Sequence, residues 1–323
     1  MRKLLFFVVA LLLPAYVCAG QEIVTIDGIN YEIGINPSKD YAPYAMVAHR
    51  DDYSGKVVVP EKIVWQNKTY PVIGMKSDSF KECVNLTSVV LPDGIEAIGH
   101  AAFRNCTNLT SVRYPKGVKT IGSSAFEGCL GFTTFEIPNT VVEIQSSAFE
   151  NCKNLTTIRI PDGVKKLSSN TFLGCINLTS VTLPEGITVI DGRAFRGCTG
   201  LESLNIPSTV KTISKEAFEG CISLTTLTIP DNVTHIGNKV FINCKNLKSI
   251  TIGSGVERIA DNIFENCTNL RDIYMKAVKC PQMQLQAFDR NVPCDRITLH
   301  VPNDVVDMYK GMIPWNKFTI VGM

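Results

Sequence analysis

The sequence predicts an elongated solenoid in which short coils stack, each adding one strand to a parallel sheet. Three observations carry that expectation. Cysteines stand at 83, 106, 129, 152, 175, 198, 221, 244 and 267, every step 23 residues. A Phe precedes each by three positions, from Phe80 through Phe103, Phe149 and Phe195 to Phe264. An apolar residue follows each by three, as Leu109 follows Cys106, Leu155 follows Cys152 and Leu201 follows Cys198. Twenty-three residues cannot build a core alone, so these columns must be buried against neighbouring units.

Each element follows in chain order. Residues 1–19 begin with Arg2 and Lys3, continue as an apolar run from Leu4 to Leu13, and end in small residues after Pro14. That is the plan of a secretory signal peptide, with cleavage expected after Ala19 or Gly20; the run is too short to span a bilayer. The rival reading makes Cys18 a lipid-bearing residue, and the bulky Val17 before it disfavours this. Residues 20–72 read as an amino-terminal cap holding a degenerate first coil, Val57-x-Val59-Pro60-x-x-Ile63, with an insertion from Trp65 to Val72. Residues 73–276 hold nine 23-residue units. Residues 277–323 read as a carboxy-terminal capping coil, with Leu299-x-Val301-Pro302 repeating the pattern and Tyr309 and Trp315 closing the end.

Within a unit, Ile158 and Ile160 alternate with Arg159, the period of a half-buried strand. Pro161 ends that strand because it cannot donate to a continuing ladder. Asp162-Gly163 supplies a turn, and Val164 and Leu167 point inward from a second short extended segment. On the opposite side short turns, or 3-10 or helical ones, are expected, and Ser123 to Cys129 suggests a Ser cap and at most one helical turn. About eleven right-handed coils follow, their parallel strands about 4.8 Å apart.

Composition narrows the function. The chain has 323 residues, 32 Lys+Arg and 30 Asp+Glu. Arg2 and Lys3 lie in the leader, so the remainder is formally neutral. Neutrality speaks against nucleic acid or an anionic membrane as partner. No later stretch is long and apolar enough for a membrane span. The nine column cysteines lie single file, and parallel side chains suit neither a disulfide nor a convergent metal site, so a ladder of unpaired thiols is expected. A bridge between Cys280 and Cys294 stays open. His49, His100, His235 and His300 stand apart in sequence, without catalytic or metal-ligand spacing, and read as solvated. No cofactor is called for, and the chain reads as non-enzymatic.

The informative surface is the strand face. Its outward positions are Val90, Arg113, Glu136, Arg159, Thr182, Asn205, Thr228, Thr251 and Tyr274. Seven of these, Arg113, Glu136, Arg159, Thr182, Asn205, Thr228 and Tyr274, form a candidate strip for a protein partner, with its charge concentrated in the first three. The plainer reading is that Thr and Ser are simply tolerated on an exposed strand. With Tyr274 as its one aromatic, the strip is ill suited to stacking on sugars or bases.

The units, summarised as Ala-Phe-x-x-Cys-x-x-Leu-x-x-Val-x-Leu-Pro-x-x-Val-x-x-Ile, resemble the BspA-type leucine-rich repeat family over roughly residues 57–305. Thr171, Val240 and Ile263 depart from the Ala, and the last two units lack the Pro. The Ile26-Asp27-Gly28-Ile29-x-Tyr31 and Trp315-x-x-Phe318 segments resemble that family's ends. The resemblance implies a leucine-rich repeat solenoid with parallel strands on a concave face. It also implies a secreted or surface-displayed adhesin-like protein that binds a protein partner, here expected to be a monomer. Two alternatives remain at this stage: a purely structural surface protein without a specific ligand, and a carbohydrate-binding accessory protein.

Overall fold

The computed structural model describes residues 22–36, 42–283, 292 and 294–323. The leader with its expected cleavage site and Cys18 lies outside these residues. The amino-terminal part is a sheet of its own kind. Strands β1 (Glu22–Ile26) and β2 (Ile29–Asn36) pair antiparallel through Asp27-Gly28, both at positive φ, the requirement of a two-residue hairpin turn. Strand β3 (Ala42–Val47) runs antiparallel to β2. After β4 (Gly55–Val58), β5 (Lys62–Trp65) and β6 (Lys68–Met75) form a second hairpin across Gln66-Asn67, again at positive φ. The sheet order is β1-β2-β3-β6-β5. The insertion from Trp65 to Val72 is therefore mostly a hairpin arm that joins the β1–β3 sheet to the solenoid.

The rest of the chain is a parallel β-solenoid of about twelve turns. On one face, β4 leads into Leu86–Val90 and Ser111–Arg113 as one parallel sheet. Thr134–Phe135, Thr157–Arg159 and Ser180–Thr182 form a second. Thr226–Ile229, Ser249–Ile252, Asp272–Met275, Thr298–Val301 and Thr319–Gly322 form a third. Registers advance by 23 residues within the repeats, as in Thr157↔Ser180 and Thr228↔Thr251. A second face is built from two-residue strands such as Lys166–Leu167, the short extended segment expected after the Asp-Gly turn. Val164 and Leu167 point inward there and are buried.

The third side contains the short turns expected there, and of the alternatives neither a helical nor a 3-10 turn occurs in any repeat. The reason lies in the backbone. Two residues per unit adopt positive φ: Ser147 and Asn151 in one, Asn170 and Gly174 in the next. A helix cannot run through such positions. The arc is held coil to coil instead, as where the Phe103 N–H donates to the Ala125 carbonyl at 2.8 Å. The chain has one short α-helix among the described residues, α1 (Val306–Gly311), whose Tyr309 is buried and donates its hydroxyl to the Ala277 carbonyl at 2.9 Å.

The predicted columns fill the interior. All nine Phe are fully buried, and their rings stack with centroids 5.2–5.8 Å apart. Tyr53 caps this stack at 4.9 Å from Phe80. The cysteine column has a polar role as well as an apolar one. Each thiol from Cys106 to Cys267 donates to the carbonyl of the Phe one coil back, at 2.8–3.2 Å. Those carbonyls also accept the N–H of the Cys in their own coil, as Phe103 does from Cys106. Cysteine thus fits where an apolar residue of similar size would leave an acceptor half used. The column thiols are unbridged, and burial pushes those of Cys152 and Cys267 up to about 12. Cys280 is likewise not disulfide-bonded.

Candidate functional site

The inward side chains are consumed by packing, and several outward hydroxyls are consumed by stacking. Thr110, Thr156 and Thr179 each donate to the carbonyl one coil back, at 2.9–3.1 Å. What remains for a partner is the outward strand row. Arg113, Glu136, Arg159, Thr182, Asn205 and Thr228 are exposed, and Tyr274 is half-buried.

These seven do not form one continuous strip, because the strand face is interrupted twice. The first interruption separates Ser111–Arg113 from Thr134–Phe135. The second is the stretch 201–206, which forms no strand between Ser180–Thr182 and Thr226–Ile229. Both interruptions share one sequence feature. The residue before the column Leu is Asn at 85, 108, 154, 177, 246 and 269, but glycine at Gly131 and Gly200. Asn154 ties its coil to the one before, its side-chain amide donating to the Leu130 carbonyl at 2.8 Å. At the glycines the backbone moves in on the preceding coil. A Cβ on Gly131 would press against the Leu109 carbonyl, and one on Gly200 would lie 2.8 Å from the Ile176 carbonyl. Only glycine tolerates that approach. The strand that follows then swings off the ladder.

Each interruption opens a depression. The first, of about 750 Å³, takes in Glu136 and Arg159 from the strip, with Tyr114, Phe132 and Phe135 as its floor. The second, of about 440 Å³, takes in Asn205 and Thr228. Arg113 and Thr182 line neither. Tyr274 lies far along the stack, its ring 4.4 Å from that of His300.

Arg159 pairs with Asp162 in its own coil, at 3.1 Å. Among the described residues Glu136 makes no ion pair. The histidines are not all free in solvent: His300 contacts the Asp272 carboxylate at 2.8 Å, and His49 Nδ1 lies 2.6 Å from the Asp78 carbonyl. The 28-residue separation of Asp272 and His300 hid that pair, because it departs from the 23-residue period. Tyr114, Phe132 and Phe135 reach the first depression from inward columns, and Phe132 and Phe135 are themselves buried. Among the described residues no group of His, Cys, Asp or Glu gathers to hold a metal ion, and no helix is long and apolar enough to cross a membrane.

Comparison with known proteins agrees with this architecture. The BspA type Leucine rich repeat region matches in six copies over residues 74–202 and 191–309. A leucine rich cell surface protein from Faecalibacterium prausnitzii is 25% identical, with 93% of this chain and 94% of that one covered and a TM-score of 0.61. The T. pallidum leucine rich repeat protein is 27% identical over 67% of this chain and 87% of its own, with a TM-score of 0.52. A leucine-rich repeat protein from Bacteroides ovatus shares the fold at 20% identity, covering 93% of this chain and 99% of its own, with a TM-score of 0.53. No curated protein matches the chain. With the repeat pattern matched over well more than half its length, the chain belongs to the BspA-type leucine-rich repeat family.

Proposed function

We propose that this chain is an exported, non-enzymatic binding protein that captures a protein partner on its strand face, working as an adhesin at or outside the cell surface. One observation carries the reading. The inward columns, the thiols and the inter-coil threonines all have structural work, whereas Arg113, Glu136, Asn205 and Thr228 are exposed at the same position of their coils without a packing role. A periodic, rigid array of such positions offers a broad surface whose residues vary while the scaffold does not. The similar F. prausnitzii protein is described as a cell surface protein, which supports display outside the cell. The amino-terminal leader read from the sequence supports the same location.

Arginine is a frequent anchor of interfaces, and serine and threonine are not. The charged part of the strip should therefore matter most. The Arg159–Asp162 pair is solvent-exposed and contributes roughly 0–1 kcal/mol to stability. An Arg113→Ala, Arg159→Ala double variant is expected to keep its melting temperature and to lose capture of partners from host matrix extracts. Capture that survives in this variant would move binding to the turn face, the second face or the ends.

A further inference from the structure

Of the features that packing leaves unused, a depression on the second face holds the most chemistry. It measures about 550 Å³ and spans the two-residue strands Thr212–Ile213, His235–Ile236, Arg258–Ile259 and Gln282–Met283. Lys215, His235 and Arg258 line it, and no carboxylate does. Among the described residues neither Lys215 nor Arg258 makes an ion pair. The neighbouring acid Glu257 lines a separate hollow beside Cys280.

The repeat itself shows what belongs in this place. Two residues beyond the outward strand position, on the same face, stand Gln145, Ser168, Asp191 and Ser214 in four successive coils, followed by Gly237 and Ala260. Gln145 Oε1 accepts the Ser123 N–H of the coil before at 3.1 Å. The Asp191 carboxylate accepts from the Lys166 ammonium at 2.7 Å and from the Gly192 N–H at 2.8 Å. Burial opposes that charge, yet these two donors hold the Asp191 carboxyl below its usual range. At Gly237 the acceptor is missing and the donors remain. A Cβ there would lie 2.6 Å from the Lys215 nitrogen, whose N–H corresponds to that of Ser123 and has no partner among the described residues. Gly99 and Gly122 also lack the side chain, but Ala97 and Thr120 stand beside them and bring no charge.

We propose that this depression binds a carboxylate, the aspartate or glutamate side chain of an acidic peptide segment, in the kind of place that Asp191 fills with its own. The Lys215 and Arg258 cations and the Lys215 N–H supply the donors. His235 keeps Nδ1 near the Thr234 hydroxyl at 3.1 Å, and its Nε2 is left to the ligand. An acidic residue brings one charge on a short aliphatic stem, which suits walls of Ile213, Ile236 and Met283. A sugar acid would set several hydroxyls against those walls, and no aromatic ring lines the depression for it to stack on. The assignment does not rest on the strand face as partner surface.

The test uses the full chain and three probes followed by saturation-transfer NMR. These are acetyl-Gly-Glu-Gly-Asp-Gly-amide, the same peptide with Gln and Asn in place of its acids, and sodium glucuronate. Wild type is expected to bind the acidic peptide saturably, in roughly the millimolar range for so small a ligand. The uncharged peptide should bind about tenfold more weakly. Lys215→Gln and Arg258→Gln should each weaken the acidic peptide about three- to fivefold, the scale of one exposed charge pair. Ala260→Asp, which sets a carboxylate at the position of Asp191, should abolish binding while the melting temperature holds. Lys165→Gln, on the same face outside the depression, should leave binding unchanged. The proposal is overturned if the acidic peptide fails to saturate, if the uncharged one binds as well, or if Lys165→Gln costs as much as Arg258→Gln, the mark of bulk charge. Glucuronate that binds more tightly than the peptide overturns it in favour of a sugar acid. The Arg113→Ala, Arg159→Ala variant should bind the peptide as wild type does, and loss there would move the site to the strand face. A peptide that fails to bind leaves strand-face capture standing.

Discussion

The two interrupted coils, at Gly131 and at Gly200, share a glycine before the column residue and differ in what surrounds it: the first still forms the strand Thr134–Phe135, and the second forms none. The first carries Tyr114, Phe132 and Phe135 around the break. The second keeps ordinary column residues, Leu201, Leu204 and Ile206, all buried. Bulk therefore does not break the ladder, since it breaks equally where no bulk was added. The shared glycine is the common feature, and it lets the turn close onto the preceding coil. Aromatic substitution then decides what the opening is made of. The Gly131 depression has an aromatic floor, whereas Asn205, Ser208 and Asp231 contribute polar groups to the one at Gly200.

The largest expected effect separates the intact columns from the interrupted face. Phe149 is fully buried between Phe126 and Phe172. Phe149→Ala should cost about 3–5 kcal/mol. Phe132→Leu, a return to the repeat residue, should cost under about 1.5 kcal/mol because the site regains its usual neighbour. Denaturant melts of both variants check this, read with attention to a second transition, since repeat arrays unfold in parts. Equal losses would mean that the break is as tightly packed as the columns.

Thiol chemistry gives the next contrast. Column cysteines are fully buried, and the Cys152 thiol is pushed up to about 12, so at pH 8 only about one in ten thousand is thiolate. Cys280 is half-buried, with its thiol raised to about 11. Native alkylation followed by mass spectrometry should modify Cys280 and spare Cys106 through Cys244 until denaturant is added. Early labelling of Cys129 or Cys198, the column thiols nearest the glycines, would show that the breaks open the interior.

Gly200→Asn sharpens the claim about glycine. If the glycine alone breaks the ladder, the variant should push the turn back from the Ile176 carbonyl and recover strand pairing across 201–206, seen as slower amide exchange there by about one order of magnitude. Unchanged exchange would shift the cause to Glu202, where Thr110, Thr156 and Thr179 occupy the matching position.

The smallest effect lies on the turn face, where the ladder is unbroken. Arg193 hydrogen-bonds Glu216 one coil on, and this holds the Glu216 carboxyl below its usual range against the opposing effect of burial. The resulting stabilisation is complete above the normal carboxylate range and fades as pH falls through the lowered folded value. Glu216→Gln should therefore bring the variant and wild-type melting curves closer together as the pH is lowered toward 3, with a difference of a few tenths of a kcal/mol near neutrality. A gap that widens in acid would contradict the pairing.

The period alone determined the columns, the strand–Pro–turn order and the parallel stack, because a residue repeated every 23 positions has one place to go in a coil of that length. It also made the thiols a buried single file. The tertiary structure decided what depends on neighbouring coils. The thiol donates to a Phe carbonyl 26 residues earlier, a spacing that no periodicity count singles out. The arc closes through positive-φ turns, because the inter-coil bonds of Phe103 and Asn105 require them. The strand row was legible as outward, but its division into two openings was not. That division depends on how closely the backbone at Gly131 and Gly200 approaches the carbonyls of the coil before, a distance set by the stack and not by the repeat.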